Sequence, residues 1–200
     1  MDLAKSLPGH VFIGGVATYL HTVNSPLTKK LVESSHDSDL MISLADLSDL
    51  RDATEVIGNP RLGKHQVIVD NVAFDVYVER NHKLIIPYDD LFAHAISYGP
   101  MRVASLGHLL LLKLEAYIDR AGSRKGDKDE RDLVNIGILT GSKPNDEELS
   151  PFLRDKHVHA LEMIARSRVF TDLCRGNTHD AKTMRRAFER FVLQTTKIAK

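Results

Sequence analysis

The pattern of apolar residues changes at about residue 100, and this change constrains the fold more than any other feature of the sequence. Up to that point, short apolar runs with strand chemistry alternate with helical patterns, and beyond Pro100 only helical spacing persists. We therefore expect an α/β (α+β) fold, in which a small mixed-sheet domain at residues 1–99 is followed by a helical bundle at residues 100–200.

The first half contains four predicted strands, at residues 10–13, 40–42, 66–69 and 72–78. The last two flank Asp70 and Asn71, a dipeptide typical of a tight hairpin turn. One helix is predicted from Gly14-Gly15 to about residue 22. Another is predicted over about 47–57, where Gly58-Asn59-Pro60 would end it.

The second half is predicted to be helical throughout. Apolar residues recur at helical spacing across residues 103–118. Further helices are expected at about 129–139, 146–166 and 178–198, the second of them broken near Ser150-Pro151. The charged stretch at 122–132 contains two glycines and is typical of a loop that leads into a helix.

Charge and composition exclude several classes of protein. The 200 residues carry 27 Lys and Arg against 27 Asp and Glu, so the zero net charge excludes a protein that holds nucleic acid mainly by bulk charge. The single cysteine, Cys174, excludes an intramolecular disulfide and a cysteine-based zinc site. Residues 1–10 lack the pattern of a signal peptide, and the longest aliphatic block, 109–112, is too short to cross a bilayer. We therefore expect a soluble, cytoplasmic protein without a membrane partner.

The most informative residues are two carboxylates at the mouth of a predicted strand, Asp37 and Asp39. Because successive strand residues point to opposite faces, these two share one face. Asp75 lies on a later strand, where Phe74 and Val76 occupy the apolar side and leave Asp75 on the opposite one. If the two strands are adjacent, three carboxylates converge, which is enough to hold two magnesium ions for phosphoryl transfer. The alternative is a solvated strand end or a helix cap, where a single Asp-x-Asp is common.

Two further elements accompany the carboxylates. Gly14-Gly15 follows an apolar strand and precedes a helix, which lets a phosphate approach the backbone and the helix N-terminus; the alternative is a tight turn alone. Lys113 is the one cation in an otherwise apolar helical stretch, and Arg120 lies seven residues later on the same helical face. A lysine there needs a partner or a ligand, and the alternative is a snorkelling lysine near Glu115 or Asp119.

In their order along the chain, these motifs resemble those of the polymerase-beta-like nucleotidyltransferase superfamily, and in particular its AbiEii-type, toxin–antitoxin-related members. The family pattern has Gly-Gly or Gly-Ser between a strand and a helix, then Ser/Thr-x-Asp-x-Asp, a Lys-x-x-Ala-x-x-x-Arg helix, and Lys-Asp with a further Asp. Matches extend over about residues 10–140, at Gly14-Gly15, Ser35 to Asp39, Lys113 to Arg120, and Lys128-Asp129 with Asp132.

The resemblance implies a nucleotidyltransferase-like catalytic domain at residues 1–99, a helical domain at 100–200, and Mg²⁺ or Mn²⁺ as the cofactor. It implies metal ligands at Asp37, Asp39 and Asp75. It implies that the catalytic residues are these three together with Lys113 and Asp129. It implies nucleotide contacts at Gly14, Gly15, Ser35, Lys113 and Arg120. Asp75 would either act as a general base on an acceptor hydroxyl or complete a second metal site, and Asp129 or Asp132 would orient Lys113 or Arg120.

The function implied first is an enzyme that moves a nucleoside monophosphate from an NTP to an acceptor and releases pyrophosphate. The acceptor would be an RNA such as a tRNA 3′ end, a protein hydroxyl or a small molecule. The toxin half of a toxin–antitoxin pair would also have an antitoxin as partner. Several cations fall on or near one face of the last helix, where they would line an RNA path or form an ordinary solvated face: Lys182, Arg185, Arg186, Arg190 and Lys197.

Two other function classes remain open on the sequence. A catalytically degenerate protein of the same fold would bind a partner; the 22-residue interval from Gly15 to Asp37 and the lack of an arginine shortly before Asp37 favour it. A metal-dependent phosphohydrolase uses similar carboxylates. It ranks last, because His157 and His159 are isolated from the acids along the chain.

Overall fold

The computed structural model describes residues 6–26, 28, 31, 38–80, 83–141 and 144–199. The chain forms two compact units, Met1–Leu20 with Glu33–Ser105 and His21–Val32 with Leu106–Lys200. The first unit is built around a sheet, and the described helices after Ser105 all belong to the second. This is the α/β class with C-terminal helices that the sequence predicts, while the predicted boundary between residues 99 and 100 stays a prediction.

The strands of the described residues all belong to the first unit. They are β1 (Val11–Phe12), β2 (Ser38–Ile42), β3 (Ile57–Asn59), β4 (Lys64–Val69), β5 (Val72–Val78), β6 (Ile96–Tyr98) and β7 (Met101–Val103). They form one mixed sheet in the order β3-β4-β5-β2-β1-β7-β6. β2 runs parallel to β5 and β1 parallel to β7, whereas the other neighbours are antiparallel. The two central strands, β2 and β5, are therefore joined by a crossover connection.

The described residues form helices in both units. In chain order they are α1 (Gly15–Val23), α2 (Leu44–Ala53), α3 (Tyr88–Ala93), α4 (Leu106–Arg120), α5 (Arg124–Thr140), α6 (Asp146–Leu149), α7 (Asp155–Arg166), α8 (Val169–Leu173) and α9 (Thr178–Ile198). Within the part of the chain described, no helix is both long enough and apolar enough to cross a membrane.

A two-residue turn joins β4 to β5. Asp70 and Asn71 adopt φ angles of 50° and 63°, the left-handed conformation that a tight hairpin of this length requires and that Asn and Asp tolerate well. The turn predicted from this dipeptide is confirmed. It sets the register of the hairpin, in which Gln66 lies opposite Asp75 and His65 opposite Val76.

The second unit is held together by helix packing. α4 packs along α5, and α9 packs against α5, α7 and α8. The contact between α5 and α9 is close, because a Cβ added to Gly137 would lie 2.7 Å from the Phe188 ring and 2.8 Å from the Phe191 ring. Phe170, Phe188 and Phe191 are fully buried, and their rings pack against each other in sequence.

Most predicted elements are confirmed, including the last helix, observed at Thr178–Ile198, and the break in the helix predicted at 146–166, observed as α6 and α7. The prediction of no strand beyond Pro100 is wrong, because β7 follows it and pairs with β1 and β6. The helix predicted over 47–57 is shifted. It begins at Leu44, because Ser43 and Asp46 form a capping box.

Two further differences arise from local chemistry. Ile57, the predicted end of a helix, instead begins β3, an edge strand. All three of its residues are exposed, and no local periodicity reveals its pairing with β4. Helix α5 begins within the predicted loop at 122–132, because the Ser123 hydroxyl caps it by accepting the Gly126 N–H at 3.1 Å.

Candidate active site

Asp39 and Asp75 are direct register partners on the parallel strands β2 and β5. Residues directly opposite each other on neighbouring strands point to the same face, so both carboxylates stand on one face of the sheet. Their neighbours Leu40 and Val76 are also opposite each other, and both are buried on the other face. The convergence predicted from the sequence requires the strands that carry these two acids to be adjacent. β2 and β5 are neighbours in the sheet, so Asp39 and Asp75 meet this condition.

Gly14 lies against Asp39, in the turn between β1 and α1. The Ile13 N–H donates to the Asp39 carbonyl at 3.0 Å, which holds the start of this turn against β2. A Cβ on residue 14 would overlap the Asp39 carboxylate and lie 2.8 Å from its Cγ. Glycine is therefore required here for close approach. Gly15 is the first residue of α1, and the Thr18 N–H closes the first helical turn on the Gly14 carbonyl at 3.1 Å.

Lys64, which the sequence did not single out, forms an ion pair with Asp75. It lies on β4, and its Nζ contacts Asp75 Oδ2. A signal for this residue exists in the sequence. With the Asp70-Asn71 turn fixing the hairpin, Gln66 falls opposite Asp75, and Lys64 shares its face two residues away. The third predicted acid of this face thus has a positively charged neighbour supplied by the chain.

The described residues supply part of a metal site. Asp39 and Asp75 offer carboxylate oxygens on one face, the donor type that Mg²⁺ prefers, so they fit this ion. Asp37 and Ser35, predicted as a metal ligand and a nucleotide contact, lie outside the described residues. Within the described residues no cluster of three or more His, Cys, Asp or Glu side chains is arranged to hold a metal ion. Of the three carboxylates predicted to bind metal, the structure therefore describes two, Asp39 and Asp75.

The second unit contains a cluster of charges around the buried Lys113 of α4. Its Nζ donates to Asp132 at 2.6 Å and to Asp129 at 3.3 Å, and Arg120 reaches the other Asp129 oxygen at 2.9 Å. Burial by itself would lower the pKa of Lys113, but the Asp132 and Asp129 carboxylates outweigh it and raise that pKa above its usual value. Two cations and two anions balance. The acids that contact Lys113 are Asp129 and Asp132, which the resemblance named, and not Glu115 or Asp119, which the snorkelling alternative named.

Glu115 has other partners, on helix α7. His157 is fully buried; its Nδ1 accepts the Arg154 N–H at 3.1 Å, so the ring proton sits on Nε2 and is donated to Glu115 at 2.9 Å. Burial lowers the pKa of His157, and the hydrogen bond to Glu115 only partly opposes this. Burial would raise the pKa of Glu115, but hydrogen bonds from Lys156 and His157 lower it overall. The hydrogen bond between His157 and Glu115 therefore joins α4 to α7.

The cations predicted on the last helix separate into two groups. Arg185 is turned inward: it donates to the Ser167 carbonyl at 2.6 Å and lies over the Phe170 ring. Arg186 and Arg190 are exposed and line a shallow groove of about 460 Å³ that also contains Glu189. Lys182 and Lys197 are exposed as well. Of the five cations predicted on or near one face of α9, Arg185 therefore does not belong to the exposed positive surface.

Comparison with known proteins places the fold. No family model matches the sequence, and no curated protein matches it. The structure is similar to that of an antigenic nucleotidyltransferase-like protein from Paracoccidioides brasiliensis, with a TM-score of 0.56 and 17% identity over 92% of this chain and 89% of that chain. JHP933 from Helicobacter pylori matches with a TM-score of 0.44 and 16% identity, over 98% of this chain and 87% of that chain. The chain therefore has a nucleotidyltransferase-like fold.

Proposed function

We propose that this protein is a magnesium-dependent nucleotidyltransferase that moves a nucleoside monophosphate from an NTP to an acceptor hydroxyl. The observation that carries the proposal is the pairing of Asp39 with Asp75 on one face of the sheet, beside Gly14, within a nucleotidyltransferase-like fold. Each of these residues was expected from the sequence alone, and the register that pairs the two acids is independent support.

Among the described residues, Asp39 would hold Mg²⁺, joined by Asp37 as the sequence predicts, and Asp75 lies opposite Asp39 on the same face. When bound, the metal neutralises phosphate charge and polarises the phosphoryl group. Gly14 contributes by leaving the space that the Asp39 carboxylate occupies. The first turn of α1, directly after Gly14, presents N–H groups and the positive end of a helix dipole, which suits a phosphate.

In the proposed reaction, the acceptor oxygen attacks the α-phosphorus of the NTP. One oxygen–phosphorus bond forms, the bond from the α-phosphorus to the bridging oxygen breaks, and pyrophosphate leaves with that electron pair. Asp75 would accept the hydroxyl proton as general base, which is one of the two roles predicted for it. The predicted contacts of Lys113, Arg120 and Asp129 with the nucleotide stay predictions. Among the described residues, these side chains form the charge cluster of the second unit.

The class of acceptor is decided by the arms of the test below. Membership of the AbiEii-type group and a toxin role with an antitoxin partner stay predictions. The exposed cations of α9 favour including RNA among the acceptors, because Arg186 and Arg190 are both exposed and line the same groove. Protein and small-molecule acceptors are included because the zero net charge disfavours a large nonspecific RNA surface.

The test is a transfer assay with each α-labelled NTP and Mg²⁺, using total RNA, cell lysate and a panel of small hydroxyl compounds as acceptors. Wild type is compared with Asp39→Asn, which removes one charge at nearly constant volume, and with Asp49→Asn, the same exchange at an exposed position of α2. We expect label transfer by wild type and Asp49→Asn, and none by Asp39→Asn.

Thermal melting with Mg²⁺ and each NTP separates the remaining function classes. Full transfer by Asp39→Asn would contradict the proposal. The absence of both transfer and a nucleotide-dependent shift in melting temperature would favour the degenerate, partner-binding alternative. Release of inorganic phosphate from NTPs without transfer would favour the phosphohydrolase.

A further inference from the structure

The sheet face that carries Asp39 and Asp75 places two like charges side by side. Side chains of directly opposed strand residues stand about 5 Å apart at Cβ, and like charges in that position are destabilising. Positive charge placed beside such a pair reduces this repulsion. The chemistry of the cations beside the pair therefore influences what the site binds.

One such cation belongs to the chain itself. Lys64 lies on β4, which flanks β5 on the side away from β2, and its Nζ pairs with Asp75 Oδ2. Because Gln66 is the register partner of Asp75, Lys64 occupies the diagonal position that a long side chain can reach. The Lys64 and Asp75 side chains are 20% and 19% exposed, so water and salt screen their attraction less than at an open surface.

We propose that Lys64 is the resident second cation of this site. Its ammonium compensates Asp75, so the site takes one divalent metal ion, on the Asp39 side, instead of two. This inference rests on the proposed function, since it concerns the metal of nucleotidyl transfer, and it deepens that function by assigning the number of metal ions and a positioning role to Lys64.

An ammonium group differs chemically from a second divalent ion. It carries a single charge, donates hydrogen bonds and has no coordination positions to offer to phosphate oxygens. Asp75 Oδ2 is engaged by Lys64, which leaves Oδ1 to accept a hydrogen bond from an acceptor hydroxyl. Of the two roles predicted for Asp75, the ion pair favours the general base over the metal ligand.

Binding of Mn²⁺ tests the inference without any measurement of activity. The full chain is titrated with Mn²⁺, and the free ion is followed by electron paramagnetic resonance. The variants are Lys64→Met, which keeps the length of the side chain and removes its charge, Lys64→Gln as a polar second choice, and each of these combined with Asp75→Asn. Lys182→Met removes the charge of an exposed lysine on α9 and serves as the matched control.

We expect one Mn²⁺ per chain for wild type and Lys182→Met, and two for Lys64→Met and Lys64→Gln, because Asp75 becomes available as a ligand. Asp75→Asn should return the double variants to one. Two Mn²⁺ ions on wild type, or one on both Lys64 variants, would overturn the inference and leave the proposed function intact. No bound Mn²⁺ on wild type would overturn both together.

Discussion

Gly14 and Asp39 occupy adjoining space so closely that an added Cβ on residue 14 would overlap the Asp39 carboxylate. A Gly14→Ala exchange therefore turns the Asp39 side chain away from its position opposite Asp75. Because displacements of about 1 Å at a reacting centre can cost about 100-fold in rate, we expect Gly14→Ala to lose transfer by about that factor. The measurement is the initial rate of label transfer.

The matched control for this prediction is Gly58→Ala, on the edge strand β3 of the same sheet. There the nearest atom to an added Cβ is His65 Nδ1 at 3.5 Å, an ordinary contact, so transfer should stay near the wild-type rate. Undiminished transfer by Gly14→Ala would show that the approach of Gly14 to Asp39 does not position the carboxylate.

Removal of the Lys113 charge should destabilise the second unit. In Lys113→Met, Asp129 and Asp132 are left buried, and Asp132 loses its 2.6 Å partner. Breaking a buried ion pair on one side costs about 3–5 kcal/mol in the free energy of unfolding. We expect a loss of this size in urea unfolding, with partial recovery in Lys113→Met/Asp132→Asn, which removes the uncompensated charge. A double variant no more stable than the single one would contradict this account.

The buried His157 should make stability fall in mildly acidic solution. Since the folded-state pKa of His157 lies below its ordinary value, the unfolded chain binds a proton that the folded chain resists. Its contribution is full above about pH 6.5 and is lost as the pH falls from there toward the lowered folded pKa. The measurement is the melting temperature at intervals from about pH 7.5 down to about pH 5.

A His157→Gln variant isolates this contribution, because glutamine keeps a donor for Glu115 but does not titrate. The variant should melt at a lower temperature near neutral pH and show a flatter dependence on pH below about 6.5. Parallel curves for the two proteins would mean that His157 is not protonated differently in the folded and unfolded chains. The lowered pKa of Glu115 predicts a further loss only at more acidic pH, below its ordinary value.

Gly137 should tolerate no side chain, because Phe188 and Phe191 occupy the space that a Cβ would need. We expect Gly137→Ala to lower the free energy of unfolding by about 1–3 kcal/mol, the usual cost of overpacking, despite the better helix propensity of alanine. Leu193→Ala on the exposed side of α9 should change it by less than about 0.5 kcal/mol. Both are measured by denaturant unfolding.

The part of the site that could be predicted from the sequence is the part set by local alternation. The face of Asp75 follows from the period of two along β5, and the hairpin turn follows from Asp70 and Asn71. That Asp39 lies opposite Asp75 does not follow from any local pattern. It depends on a parallel pairing between residues more than thirty positions apart in the chain, and such pairing is set by the packing of the whole sheet.

Other elements could not be predicted from the sequence, because their residues show no regular alternation of buried and exposed positions. The three residues of β3 are all exposed, so no alternation of apolar and polar residues marks that strand. In the sequence, the start of α5 has the composition of a charged loop. Asp129 and Asp132 are nevertheless buried, because Lys113 on another helix compensates their negative charge. A compensating partner sixteen or more residues away gives no local signal.

The position of the turn at Asp70 and Asn71 also fixes the charge balance of the opposite end of its hairpin. An insertion that kept a two-residue turn would slide β4 by one position and send the Lys64 side chain to the other face. His65, which carries a lowered pKa, would then take its place beside Asp75. Relatives with such an insertion would thus exchange a permanent positive charge for a titratable one, without any substitution in the strands.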